Sequence, residues 1–130
     1  MTATTYTSGY LAIPLTGALL FAGGEVASVL NPEGVPLVIT DVKILVTTPS
    51  TGAATLSVGI AAAATTSDND MIDALDINGA SAGDAYHGMT ALAAKGAAQV
   101  WGATEYITAT GSADTTGFVG TLYVQYDRTA

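Results

Sequence analysis

Alternation with a period of two constrains this chain more than any other feature. From residue 118 to 126, Phe118, Gly120, Leu122, Val124 and Tyr126 fall on one side of an extended backbone. Val119, Thr121, Tyr123 and Gln125 fall on the other. Successive side chains of a strand point to opposite faces, so this is the pattern of a half-buried β-strand. Residues 36–48 repeat it, with Val38, Thr40, Val42, Ile44 and Val46 on one face and Leu37, Ile39, Asp41, Lys43 and Leu45 on the other. Apolar residues on both faces predict a strand covered on both sides for part of its length. Asp41 and Lys43 share a face two residues apart, where they can pair. Leu56, Val58 and Ile60 alternate with Thr55, Ser57 and Gly59, and shorter strand patterns run over 25–30, 99–101 and 106–110. No long amphipathic helix is written anywhere.

Turn residues punctuate these runs. Residues 31–34 hold Pro32, which presets its φ, and Gly34, which accepts a positive one, so they read as a tight turn. Residues 49–52 form the next turn, and the strands on either side of it read as a hairpin. Residues 67–70 read as a turn or helix cap, 71–75 as one helical turn, and 78–88 as a loop. Residues 90–94 fit helix and strand equally. Seven or eight short strands predict an all-β chain: a single antiparallel β-sandwich, jelly-roll-like, over residues 10–130, with an extended N-terminal arm over 1–9. An immunoglobulin-like sandwich is the rival, without its Cys…Trp…Cys mark. The 130 residues suit one domain, with roughly 6,300 Å² exposed when folded against about 19,000 Å² unfolded.

Charge removes whole classes of function. Eleven Asp and Glu stand against three cations, Lys43, Lys95 and Arg128, for a net charge of −8. So few cations cannot neutralise a run of phosphates, which argues against nucleic-acid binding and against anionic membrane surfaces. With no cysteine, thiolate metal sites, disulfides and cysteine nucleophiles are out. Residues 1–9 lack the basic start of a secretory signal, and residues 17–30 are too broken to span a bilayer, so the chain reads as soluble.

The catalytic inventory is short. His87 is the one histidine, and no Gly-x-Ser-x-Gly elbow exists to use it, so it reads as a loop histidine with a local hydrogen bond. There is no phosphate-binding glycine loop. Asp68, Asp70 and Asp73, with Asn69 and Asp76, offer hard oxygen ligands that would suit Ca²⁺, but their spacing departs from the EF-hand and a solvated acidic loop explains them too. Glu25, Glu33 and Glu105 are not paired by anything in the sequence, as glycoside hydrolysis would require. Trp101 reads as a core or interface residue, or as a sugar-stacking platform. Tyr6 and Tyr10, in a polar segment, are candidates for gripping a partner. These observations predict a protein without enzymatic activity or cofactor.

Residues 31–34 leading into 38–42, the Thr47-Thr48-Pro49 corner, Leu56 to Ile60, the acidic loop from Asp68 to Asp76, and the ending from Gly117 to Tyr126 together resemble the small head decoration, or cement, proteins of tailed bacteriophages. The resemblance covers roughly 26–126 and lies in strand-and-turn texture. It implies a virion protein on the outer surface of the capsid, a homotrimer at symmetry axes, binding the major capsid protein and stabilising the head. The alternative is a glycan- or receptor-binding head-fibre, turret or tail-associated module using Trp101 and the tyrosines.

Overall fold

The chain pairs its strands from the outside in. The computed structural model describes residues 8–20, 24–66, 68–78, 84–87, 99–113 and 115–128, with 84–87, 99 and 113 as backbone alone. β1 (Ser8–Thr16) pairs with β9 (Val119–Arg128) and β2 (Glu25–Leu30) with β8 (Tyr106–Ala113). β3 (Leu37–Thr48) pairs with β6 (Asp84–His87) and β4 (Ala54–Ala61) with β5 (Ile72–Asp76), all antiparallel. Such a nest is one long hairpin rolled up, so alternate pairs land in opposite sheets. The orders are β1-β9-β3-β6 and β2-β8-β4-β5. This is a jelly roll, and the immunoglobulin-like order is excluded. The short β7 (Gln99–Trp101) lies end to end with β6 along the same side of β3.

The core lies between the sheets. Leu15, Val42, Ile44, Val46, Leu56, Val58, Ile107, Leu122 and Val124 are all buried there. Each such side chain contributes roughly 1.5–3 kcal/mol relative to exposure. In β9 the buried and exposed sets follow the alternation read from the sequence. The total exposed surface, 6386 Å², matches the size scaling.

β3 departs from the sequence reading in an instructive way. Leu37 and Ile39 are buried, and so are Val42, Ile44 and Val46, although the two groups have opposite parity. The register against β9 slips between Ile39 and Asp41. That bulge at Thr40 adds one residue and turns both apolar groups inward. The strand is therefore not covered on both faces.

Two local expectations fail for a common reason. β3 and β4 do not form a hairpin. Both sides of β3 are occupied by β9 and by β6 and β7, and the intervening turn crosses to the other sheet. There Ser50 N donates to Ile77 O (3.0 Å) and Thr51 N to Thr116 O (2.8 Å). Residues 71–75 are not helical either: Met71 N donates to Val58 O (3.0 Å) and Ala74 N to Ser57 Oγ (3.0 Å). Pairing with β4 outweighs the weak preference of one isolated helical turn. Residues 84–87, read as loop, are strand β6, which places His87 in register with Lys43. Residues 90–94 lie outside the described residues.

The turn before β3 is as expected. Gly34 has φ +68°, where a side chain would be strained. Asn31 organises it: Oδ1 accepts from Glu33 N (2.9 Å) and Gly34 N (3.1 Å). Its Nδ2 donates to the carbonyls of Val35 (2.8 Å), Trp101 (3.0 Å) and Gly102 (3.1 Å). One buried amide thus ties the β2–β3 turn to the end of β7.

Candidate functional site

Three regions hold the residues singled out in the sequence. The first is the acidic loop. Residues 68–70 press onto β4 at Gly59, where an added Cβ would sit 2.6 Å from the Asp68 backbone. Asp68 Oδ1 accepts from Asn69 N (2.6 Å) and Asp70 N (3.0 Å). Ser57 on β4 and Thr110 and Ser112 on β8 complete an open groove of about 530 Å³. Thr55 and Ser112 share a hydroxyl hydrogen bond (2.7 Å) at its rim. Burial, and then the neighbouring Asp70 carboxyl, push the Asp68 carboxyl above its ordinary range. Two such carboxyls can share a proton. Asp73 and Asp76 are exposed on β5, and among the described residues no three acidic or imidazole groups gather as a metal set.

The three glutamates lie apart from one another. Glu33 accepts from Arg128 and from the Tyr126 hydroxyl (2.8 Å), Glu105 Oε1 accepts from Gly102 N (2.7 Å), and Glu25 is buried at the start of β2. They do not face one another across a cleft.

The second region is Trp101. Its side chain is fully buried, packs edge-on against Tyr126 (6.4 Å between centroids) and donates Nε1–H to Glu105 O (2.9 Å). It is a core residue, so the expectation of a partner-binding or sugar-stacking Trp101 is corrected. Trp101 ends β7, and its large ring is buried with its one N–H satisfied.

The third is the outer face of the sheet that contains β1. β1 begins at Ser8, so the last two residues of the expected arm already pair with β9. Tyr6 lies outside the described residues. Tyr10 stands 61% exposed, with its ring 5.9 Å from that of Tyr123. Register sets three rows across β1, β9 and β3: Tyr10, Gln125 and Asp41; Ala12, Tyr123 and Lys43; Pro14, Thr121 and Leu45. Asp41 and Lys43 pair at 3.4 Å on β3, with Lys43 directly across from Tyr123. The face thus mixes two aromatic rings, Ala12, Pro14 and Leu45 with Gln125, Thr121 and this ion pair. The sequence reading missed Tyr123, although its outward parity in β9 was legible. It also missed β1, although Leu11, Ile13 and Leu15 alternate with Tyr10, Ala12 and Pro14.

Compared with protein-family models, curated proteins and solved structures, the chain gives no match.

Proposed function

We propose that this chain is a non-enzymatic virion structural protein that decorates the outside of a bacteriophage capsid. Its copies would gather at symmetry axes, as a homotrimer, and clamp the major capsid protein. The observation that carries the reading is the outer face of this sheet, where the Tyr10 and Tyr123 rings meet beside Ala12 and Pro14, with the Asp41–Lys43 pair across from them on β3. Exposed aromatic rings set among polar groups are enriched in protein-binding surfaces. It sits on a stiff jelly roll, an architecture that serves capsid and lectin domains alike, so the fold alone does not choose between them. The acidic balance suits a position away from packaged DNA.

Binding of purified protein to capsids lacking it tests the reading. Wild type should pellet with the particles, and Tyr10→Ala should pellet several-fold less while keeping its fold. A wild type that stays in the supernatant at every concentration sinks the proposal. The glycan-binding alternative loses its platform with Trp101 buried. A glycan array probed with wild type and Tyr10→Ala would detect any sugar site built on the remaining tyrosines.

A further inference from the structure

We propose that the chain between β4 and β5, residues 62–66 and 68–70, is a strap that closes over the outer face of the β2-β8-β4-β5 sheet and lifts from it as one unit while the sandwich stays folded. Leu56, Val58, Ile60, Ile107 and Ala109 face the core, so alternation turns Gly59 of β4 and Thr108 of β8 outward. Both are nonetheless buried. Register sets Ser28, Thr108 and Gly59 in one row across β2, β8 and β4, and the strap runs along that row. Ser28 Oγ donates to Ala64 O (3.0 Å), and Thr108 Oγ1 donates to Thr66 O (3.0 Å). The Asp68 backbone then sits where a Cβ on Gly59 would come within 2.6 Å. Residues 64, 66 and 68 thus each seat on a successive strand.

The cover is complete but its fastening is light. Two hydroxyl-to-carbonyl bonds and one close approach to glycine hold it, and residues 62–66 are alanine and threonine alone. Ala62, Ala63, Thr65, Thr66 and Asn69 are exposed. Met71, fully buried and donating from N to Val58 O (3.0 Å), is the firm anchor where the strap ends. Segments with few buried apolar contacts are the ones that open locally. Closure also holds the half-buried Asp68 carboxyl against that of Asp70. The two described cations, Lys43 and Arg128, belong to the other sheet and are engaged there by Asp41 and Glu33. Opening relieves the repulsion between the two carboxylates. It also joins the bared row to the neighbouring groove of Ser57, Thr110 and Ser112, giving one hydroxyl-lined trough across β4 and β8.

The strap lies on the sheet opposite Tyr10 and Tyr123, so it can be tested on the free protein and can fail while capsid binding stands. Amide hydrogen exchange followed by NMR, corrected for each residue's intrinsic rate, provides the test. Thr66 N donates to Ala63 O (3.1 Å), and Asn69 N and Asp70 N donate to Asp68 Oδ1. These three amides should share one level of protection, well below that of Leu122 and Val124 in β9. Ser28→Ala removes the fastening at Ala64. It should speed exchange several-fold at Asn69 and Asp70 as well as at Thr66, with β9 unchanged. Gly59→Ala crowds the seat of Asp68 and should have the same effect. Protection equal to that of β9 overturns the inference, because the strap would then open only with the whole fold. So does a Ser28→Ala variant whose faster exchange is confined to Thr66, or one that exchanges as wild type does.

Discussion

Arg128 grips Glu33 with two parallel bonds, Nε to Oε1 and Nη2 to Oε2, each 2.7 Å long. The fork joins the β2–β3 turn to the end of β9, ninety-five positions away in the chain. The Tyr126 hydroxyl donates to the same carboxylate, and Arg128 Nη1 donates to Ser8 O (3.0 Å). Three segments are thus fastened at one corner, and geometry of this kind gives an ion pair more than its exposed position would suggest.

The pH dependence of that corner follows from its shifts. Arg128 and Tyr126 hold the Glu33 carboxyl below its ordinary range. A depressed carboxyl contributes stability that is full at neutral pH and is lost as pH falls through the folded value. Burial and then Glu33 push the Tyr126 phenol up, so its contribution is lost as pH rises through that value. Melting temperatures measured from neutral pH into acid should fall less steeply for Glu33→Gln than for wild type. Identical acid limbs would show that the fork contributes nothing.

The acidic loop has the opposite sign. Asp68 is raised, so folding favours its protonated form, and that contribution fades as pH rises through the folded value. Asn at 68 keeps an oxygen for the Asn69 and Asp70 amides and removes the charge. Asp68→Asn should melt higher than wild type at neutral pH, with the gap closing in acid. A lower melting temperature at neutral pH would mean that the ionised carboxylate is favourable.

Asn31 should be the most demanding polar position. Asn31→Ala takes the donor from the buried carbonyl of Trp101 and from the half-buried contacts at Val35 and Gly102, at a cost of about 2–3 kcal/mol in urea unfolding. Asn31→Asp should cost more, because a carboxylate would face three carbonyl oxygens. A smaller loss for Asn31→Asp, which keeps an oxygen for the turn amides, would show that those amides, and not the carbonyl contacts, carry the effect.

Ala74 has φ +55° in β5, the left-handed region that penalises a Cβ. Ala74→Gly should stabilise the fold by up to about 1 kcal/mol, offset in part by glycine's looser unfolded chain. Thermal unfolding decides it, and a decrease would show that the methyl group's packing outweighs its strain.

The sandwich was legible because Leu56, Val58, Ile60 and the 118–126 run alternate without interruption. The bulge at Thr40 was not, because a one-residue slip leaves no mark in composition; it shows only once β9 supplies a register. Residues 71–75 look locally helical, and 72–76 are strand because β4 lies beside them. The outer patch joins Tyr10 and Tyr123, which lie at opposite ends of the chain, and only the β1–β9 pairing brings them together. Trp101 and Glu105 were readable as residues, but which side of β7 met the core was not.

The nesting of first strand with last also sets an order of events during synthesis. β1 leaves the ribosome long before β9 exists, and Ser8 must wait for Asp127, 119 positions later, to find its partner. Half of each sheet is therefore unfinished until translation is nearly done. A ribosome stalled before β9 would hold an unclosed intermediate with unpaired strand edges, the kind of species prone to aggregate.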